Sequence, residues 1–394
     1  MRKLEMSEVR DMLEGCALLS TGGGGDPARG WEMIRREYEA GRSFLLASLE
    51  ELPDDGTTCS VYYTGSTAPK SPELVVRFAG LPRPEDPPPY LALRALERHL
   101  GRAFAALVSI EYGGLNTAVA VAMAARAGIP LLDADGAGRA VPDLQFSTYY
   151  LKGLPIHPLA VCTNYGETAV LEDVVDDFRA EDLVRALAVA SGGLVATADH
   201  PARVADLRQG GVIPGALSRA MAVGRARRQA GEAGRDPVEA VAEAGGGEVL
   251  FRGVVRADPR WEDREGFLFG EMEIEGTGAW AGSSYRIWFK NENVISWRDG
   301  RVDVTVPDLI CVSRGEDGGP VLNPHAPPGT EVAVLGFPAP EEWLSERGLA
   351  ILVPRFFGFE VEWDAGRFPG RCPPAQDHRS DVRASAAEQG AGPV

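Results

Sequence analysis

The sequence has few cysteines, no long apolar run and no excess of basic residues. Its five cysteines are scattered and form no Cys-x-x-Cys pair, so neither a disulfide framework nor a zinc–thiolate site is indicated. No stretch of about 18 apolar residues is present, and the charged N-terminus lacks the apolar core of a signal peptide. The net charge of −17 argues against nucleic acid or an acidic membrane as a partner. We therefore expect a soluble, cytoplasmic protein.

The common catalytic signatures are also missing. The five histidines form no His-x-His or His-Glu-x-x-His pair, which argues against a histidine-based zinc hydrolase. No Gly-x-Ser-x-Gly nucleophile elbow occurs. Cys311 is typical of a strand core, and Cys162 has no neighbouring cation in the sequence that would activate a thiolate. These absences leave carboxylates and backbone groups as the candidate chemistry.

Apolar periodicity divides the chain into an α/β first half and a strand-rich second half. A strand, helix and strand succeed one another between residues 105 and 135, which predicts a mainly parallel sheet. From residue 249 onward short strands dominate, and Asp299-Gly300 is a hairpin signal. We predict an α/β domain over residues 1–166, a second β-rich α+β domain over residues 167–370, and a disordered tail over residues 371–394.

A glycine-rich loop is the first candidate site, and its members are Gly22, Gly23, Gly24 and Gly25. Asp26 is a good N-cap and Pro27 a good first helical residue, so a second helix is predicted from about residue 28 to residue 40. Consecutive glycines suit a close approach of the backbone to a phosphate, a carboxylate or a carbonyl oxygen. A flexible surface turn is the alternative. The loop follows a helix, so it is not a Rossmann fingerprint, and no P-loop lysine follows it.

Two predicted strand ends carry the second group of candidate residues. These polar and glycine residues are Glu111, Gly113, Gly114 and Asn116 after one strand, and Asp133, Asp135, Gly136 and Arg139 after the next. Ligands bind at such strand ends in open α/β sheets, so we expect a cleft here. Close carboxylates can divide into an acid and a base, and they also suit a divalent cation. For Asp135, ordinary turn chemistry is the alternative.

These segments resemble the conserved blocks of one family. Residues 17–27 resemble the opening signature of the S-methyl thiohydantoin desulfurase domain family, and residues 111–116 resemble its Glu-x-Gly-Gly-x-Asn block. Residues 133–142 resemble its Asp-x-Asp-Gly-x-Gly-Arg-Ala-x-Pro block. Asn291-Glu292-Asn293 and residues 307–311 resemble its C-terminal block. The blocks occur in the family order.

The resemblance implies an activity and partners. The implied fold is an α/β N-terminal domain followed by a β-rich C-terminal domain, in the company of hydantoinase- and oxoprolinase-type proteins. The implied reaction removes the methylthio group of an S-methyl thiohydantoin by hydrolysis and gives a hydantoin and methanethiol. The sequence departs from the family pattern at Glu111-Tyr112 and at the segment from Cys162 to Asn164, where an acidic residue is expected in many relatives, and these departures leave the substrate open.

We predict a hydrolase of a small five-membered cyclic ureide or S-methyl thiohydantoin, without a cofactor. Glu111, Asp135 and Asp133 are the predicted catalytic carboxylates, the glycine-loop amides would hold an oxyanion, and Arg139 would neutralise charge. Further substrate contacts are predicted at Asp26, Gly113, Gly114, Asn116 and Gly136. The alternatives are a non-catalytic binding subunit of a hydantoinase- or oxoprolinase-like enzyme, and a nucleotide-dependent enzyme. A homo-oligomer is expected on general grounds only.

Overall fold

Two β-sheets organise the computed structural model, which describes residues 1–66 and 70–368. The first sheet is mixed and carries most of the helices, and the second is entirely antiparallel. This arrangement confirms the predicted α/β domain followed by a β-rich domain. Among the described helices, none is long and apolar enough to cross a membrane. The tail predicted over residues 371–394 lies outside the described residues.

The first sheet is built around four parallel strands. In the described part of the chain its strands are β1 (Arg2–Lys3), β2 (Leu45–Ala47), β3 (Thr57–Gly65), β4 (Ala106–Ser109), β5 (Leu131–Asp135), β6 (Leu159–Thr163), β7 (Thr168–Leu171), β8 (Leu194–Arg203) and β9 (Ile213–Pro214). Their order is β1-β2-β5-β4-β3-β8-β6-β7, with β9 beside β5. Strands β2, β5, β4 and β3 run parallel, and the flanking strands pair antiparallel. The parallel centre is buried on both faces, as its apolar sequence requires.

Eleven helices accompany the sheets within the described residues. They are α1 (Met6–Leu18), α2 (Pro27–Glu39), α3 (Pro72–Phe78), α4 (Pro88–Leu100), α5 (Asn116–Ala127), α6 (Thr148–Lys152), α7 (Asp177–Ala190), α8 (Val204–Asp206), α9 (Ala216–Glu232), α10 (Pro237–Gly245) and α11 (Glu346–Ile351). Helix α2 begins as predicted, because the Asp26 side chain accepts a hydrogen bond from the Ala28 amide at 2.9 Å and Pro27 follows it. The glycine-rich loop therefore connects α1 directly to α2.

The second sheet is antiparallel throughout. Its strands are β10 (Glu248–Val255), β11 (Arg260–Arg264), β12 (Phe267–Gly276), β13 (Ser284–Lys290), β14 (Glu292–Arg298), β15 (Arg301–Thr305), β16 (Leu309–Arg314) and β17 (Glu331–Phe337). They run in the order β15-β14-β13-β12-β10-β17-β16, and β11 lies beside β12. The predicted hairpin joins β14 to β15, with positive φ angles at Asp299 and Gly300 that fit a two-residue hairpin turn.

The two sheets meet through a shared apolar cluster. Phe146 from the first half packs with Val294 and Trp343 from the second, and the Trp343 indole donates a hydrogen bond to the Ala137 carbonyl at 2.8 Å. The first sheet also extends past residue 166, since β8 pairs with β3. Strands on both sides of residue 166 therefore belong to one sheet. The domain boundary predicted at this residue stays a prediction.

Candidate functional site

A cavity of about 70 Å³ lies where β3 and β4 of the first sheet end and the second sheet covers them. Gly65 ends β3 at the cavity, and Glu111 follows β4. The second sheet contributes Asn291 and Glu292 at the start of β14. Of the residues predicted from the sequence, four line this cavity: Gly24, Gly25, Glu111 and Asn116. The cavity thus joins the two predicted motif regions with a segment of the β-rich domain.

Glu111 is a buried carboxyl that is held by two donors. Its Oε1 accepts a hydrogen bond from Asn116 Nδ2 at 2.7 Å, and its Oε2 accepts one from the Val141 amide at 2.7 Å. Asn116 is itself fixed, because its side chain bonds both the amide and the carbonyl of Tyr63 on β3. Burial raises the pKa of Glu111 to about 7, and the nearby charge of Asp135 adds to this effect. Glu111 therefore changes protonation state near neutral pH.

Glu292 is a second buried carboxyl in the same cavity. Its Oε2 has no hydrogen-bond partner among the described residues. Burial raises the pKa of Glu292 well above its ordinary value, and the charge of Glu111 raises it further, although Arg139 opposes this. Glu292 was not among the site residues predicted from the sequence. Its only signal in the sequence was its place in the Asn291-Glu292-Asn293 block, because a single glutamate between predicted strands is usually exposed to solvent.

The glycine-rich loop makes room for Glu292. A Cβ atom on Gly23 would lie 1.8 Å from the Glu292 Oε1 atom, so no larger residue fits there without moving the carboxyl. The second domain also holds the loop through its backbone: the Asn293 amide donates to the Thr21 carbonyl at 2.7 Å, and the Asn323 amide donates to the Gly22 carbonyl at 2.9 Å. The loop is therefore clamped by the domain that carries Glu292, and it is not a flexible surface turn.

The two predicted glycine motifs pack against each other. A Cβ atom on Gly24 would lie 2.3 Å from the Gly113 Cα atom, and a Cβ atom on Gly114 would lie 2.5 Å from Pro27. The Gly24 carbonyl accepts hydrogen bonds from the amides of Leu115 and Asn116 at the start of α5. Gly113 and Gly114 therefore serve backbone packing. The amides of Gly24 and Gly25 form no hydrogen bond with the described residues, and both glycines line the cavity.

The structure places three other predicted residues outside the cavity lining. Asp133 accepts hydrogen bonds from the amide and the hydroxyl of Ser218, at 2.9 and 2.5 Å, in the first turn of α9. Asp135 is buried beside Glu111, where burial raises its pKa to about 7, and its Oδ1 accepts from the Ala137 and Gly138 amides. Asp26 is the exposed N-cap of α2. Asp26 and Asp133 thus have structural partners, whereas the buried Oδ2 of Asp135 has no hydrogen-bond partner among the described residues.

Arg139 and Gly136 also have structural partners. The Arg139 guanidinium is buried and donates to the carbonyls of Ala140, Pro307 and Asn293, at distances from 2.8 to 3.4 Å. It therefore links the glycine-rich region to the second domain. A Cβ atom on Gly136 would lie 2.7 Å from the Ile110 carbonyl oxygen, so this glycine permits close contact between neighbouring strand ends. Neither residue lines the cavity.

The cysteines offer no activated nucleophile in the described residues. Cys16, Cys59, Cys162 and Cys311 are free and buried. Burial raises the pKa of the Cys162 thiol to about 11, and the charge of Glu167 also raises it. Within residues 1–66 and 70–368, no three His, Cys, Asp or Glu side chains form a group that could hold a metal ion. Glu111 and Glu292 are thus two carboxyls with raised pKa values that line the same cavity.

Comparison with known proteins identifies the family. Residues 7–173 match the S-Me-THD-like N-terminal domain, and residues 175–365 match the S-Me-THD-like C-terminal domain. A crystal structure of a protein from Chromobacterium violaceum, a target of the Northeast Structural Genomics Consortium, has the same fold with a TM-score of 0.72. The two proteins are 22% identical over 92% of this chain and 99% of that chain. No curated protein matches the sequence. Because the two family models together cover nearly the whole chain, this protein belongs to the S-methyl thiohydantoin desulfurase-like (S-Me-THD-like) family.

Proposed function

We propose that this protein hydrolyses an S-methyl thiohydantoin or a closely related five-membered cyclic ureide, releasing a hydantoin and methanethiol. The observation that carries the proposal is that Glu111 and Glu292 line one cavity and that both have raised pKa values. Two interacting carboxyls give up their protons at different pH values, so one can be ionised while the other keeps its proton. Such a pair can act as a base and an acid on the same substrate. The family relationship supports the choice of ring.

Glu111 is the proposed general base. Its two fixed hydrogen bonds, from Asn116 and Val141, stabilise the ionised form and orient the carboxylate. In the proposed first step, Glu111 removes a proton from a water molecule while the water oxygen bonds to the ring carbon that carries the methylthio group. Because the pKa of Glu111 lies close to neutral pH, the carboxylate is both available and a useful proton acceptor there.

Glu292 is the proposed general acid. It gives its proton to the ring nitrogen as the carbon–nitrogen double bond becomes single, which leaves a neutral tetrahedral intermediate. The carbon–sulfur bond then breaks: the hydroxyl proton of the intermediate returns to Glu292, and the departing sulfur takes the proton held by Glu111. The ring gains a carbonyl oxygen and an N–H group, methanethiol leaves, and both glutamates regain their starting states. The proposed chemistry uses only water and protein side chains.

The free amides of Gly24 and Gly25 are the proposed donors to the substrate oxygen. Both residues line the cavity, and neither amide has a partner among the described residues. Backbone N–H groups that are already oriented stabilise negative charge developing on an oxygen atom without reorganisation. The sequence predicted this role for the whole glycine-rich loop, and the proposal assigns it to two of the four glycines. Gly22 and Gly23 contact the second domain, and Gly24 and Gly25 face the cavity.

The charges around the cavity suit a neutral ring with N–H donors. Arg185 lines the cavity, but its guanidinium is already paired with Glu181 at 2.7 Å and bonds two carbonyls. Lys290 is paired with Asp143 at 2.7 Å. These two cations are thus neutralised by their own partners, and among the described residues the two glutamates have no cationic partner within hydrogen-bond distance. An anionic group placed beside the two glutamates would meet the negative charge of the ionised carboxylate.

The test is methanethiol release by the purified chain. We expect turnover of S-methyl thiohydantoin by the unmodified protein and its loss in Glu111→Gln, with an unchanged fold. Glu97→Gln is a matched control, because Glu97 is buried on α4 and does not line the cavity. Full activity in Glu111→Gln would contradict the proposed role. Binding of hydantoin without turnover by the unmodified chain would instead favour the binding-subunit alternative.

A further inference from the structure

A chain of buried polar side chains lies directly behind the cavity. Tyr62 lines the cavity, and its hydroxyl donates a hydrogen bond to Asp199 Oδ2 at 2.5 Å. The other oxygen of Asp199 lies 2.9 Å from His200 Nδ1. Asp199 and His200 are fully buried, and they follow each other on β8, the strand that pairs with β3. Neither residue takes part in the proposed proton transfers.

His200 has an uncommon backbone conformation and an unpartnered ring nitrogen. Its φ angle is +48°, in the left-handed region that residues other than glycine rarely adopt. Its Nε2 atom has no hydrogen-bond partner among the described residues, and it lies 3.6 Å from Asp177 Oδ1, which also lacks one. The Tyr149 ring stacks on the imidazole at 4.4 Å. Backbone strain and unsatisfied buried groups of this kind collect at functional sites.

The Tyr62 hydroxyl already acts as a donor within this charged cluster. Burial lowers the pKa of His200, but the charges of Asp199 and Asp177 outweigh burial and raise it to about 9. His200 is therefore an imidazolium at neutral pH, and its Nδ1 lies beside the Asp199 carboxyl. The Tyr62 hydroxyl has one proton, and it donates that proton to Asp199 Oδ2. The lone pairs of the Tyr62 oxygen are then all that the hydroxyl can offer to another group.

We propose that Tyr62 is a substrate-contacting residue that the Asp199–His200 ion pair holds as a hydrogen-bond acceptor for a ring N–H group. The inference rests on the proposed function, because it assigns the substrate of the same cavity a feature: an unsubstituted N–H. Asp199 and His200 are positioning residues in this arrangement, and they act through Tyr62. A site built to accept an N–H selects against a ring in which that nitrogen carries a methyl group.

The experiment measures binding of the reaction product, hydantoin, and of its two N-methyl derivatives by calorimetry. We expect Tyr62→Phe to weaken hydantoin binding about tenfold, as for the loss of one hydrogen bond in a buried site. For one of the two N-methyl derivatives, the same substitution should leave the affinity unchanged. Tyr149→Phe is the matched control, because it removes a buried phenol from the same cluster whose hydroxyl has no described partner. It should bind hydantoin like the unmodified chain.

A second variant tests the positioning role. His200→Asn removes the cation, and asparagine tolerates a positive φ angle better than most residues. We expect His200→Asn to weaken hydantoin binding, as Tyr62→Phe does. For the N-methyl derivative whose affinity does not depend on Tyr62, the loss of affinity should be smaller than the loss for hydantoin. Equal hydantoin affinities in Tyr62→Phe and Tyr149→Phe, beside normal turnover in the unmodified chain, would overturn this inference and leave the proposed function intact. Absence of both hydantoin binding and turnover in the unmodified chain would overturn both.

Discussion

Replacing Glu111 with glutamine tests how the buried carboxyl affects the free energy of unfolding, independently of catalysis. Burial raises the pKa of Glu111 from 4.5 to about 7, so the folded protein holds this proton at pH values where the unfolded chain has released it. The free energy of unfolding therefore falls as pH rises through that window. At about 1.4 kcal/mol for each tenfold change in the dissociation constant, the loss reaches about 3 kcal/mol above pH 7. Glutamine does not titrate, so the Glu111→Gln variant should not show this loss of stability.

Urea unfolding at pH 5 and pH 8, followed by tryptophan fluorescence, measures the effect by linear extrapolation. We expect the unmodified protein to lose about 2 kcal/mol more than Glu111→Gln between these pH values. The substitution also changes the hydrogen bonds to Asn116 and Val141, but this difference in stability is the same at both pH values. It therefore cancels when the changes between pH 5 and pH 8 are compared for the two proteins. Parallel pH dependence in the two proteins would refute the reasoning, because it would mean that the Glu111 carboxyl stays hydrated.

Three further substitutions test other parts of the site. Glu292→Gln should keep the fold and lower turnover at least about 100-fold, since a general acid contributes that much, and an unchanged kcat would remove it from the mechanism. Gly23→Ala should also lower kcat, because its Cβ would meet the Glu292 carboxyl, whereas Gly231→Ala, with no atom within 4 Å of its Cβ, should retain it. Asp133→Ala should cost about 1 kcal/mol of stability, measured by urea unfolding, through lost hydrogen bonds at the start of α9. Loss of turnover in that variant would instead support the catalytic role predicted from the sequence.

Local sequence signals were sufficient for some parts of the fold. The Asp26-Pro27 pair predicted the start of α2, and Asp299-Gly300 predicted the hairpin between β14 and β15, because caps and tight turns depend on adjacent residues. Strand β8 was not predicted. Its antiparallel pairing with β3 joins residues more than 100 positions apart, and no local pattern specifies such a partner.

The sequence predicted only some residues of the candidate site, as it predicted only some elements of the fold. Glu111 was selected because it follows a buried strand, which is where sheet folds bind ligands. Glu292 and Tyr62 were not selected, because their burial exists only once the second sheet and β8 are in place. Asp133 and Asp135 carry the same sequence signal, yet the first bonds the start of α9 and the second bonds turn amides. The partner of Asp133 lies 85 positions away along the chain, so no local pattern could have predicted it.

The division of the two glutamates between the domains has a consequence for recombination of the gene. Glu111 follows a strand of the first sheet, Glu292 begins a strand of the second, and the glycine-rich loop packs against the surface that carries Glu292. A chimera that joins this N-terminal domain to an unrelated C-terminal domain would inherit the proposed base without its acid. The heritable unit of the proposed activity is therefore the matched pair of domains, and neither half is a module that can be exchanged alone.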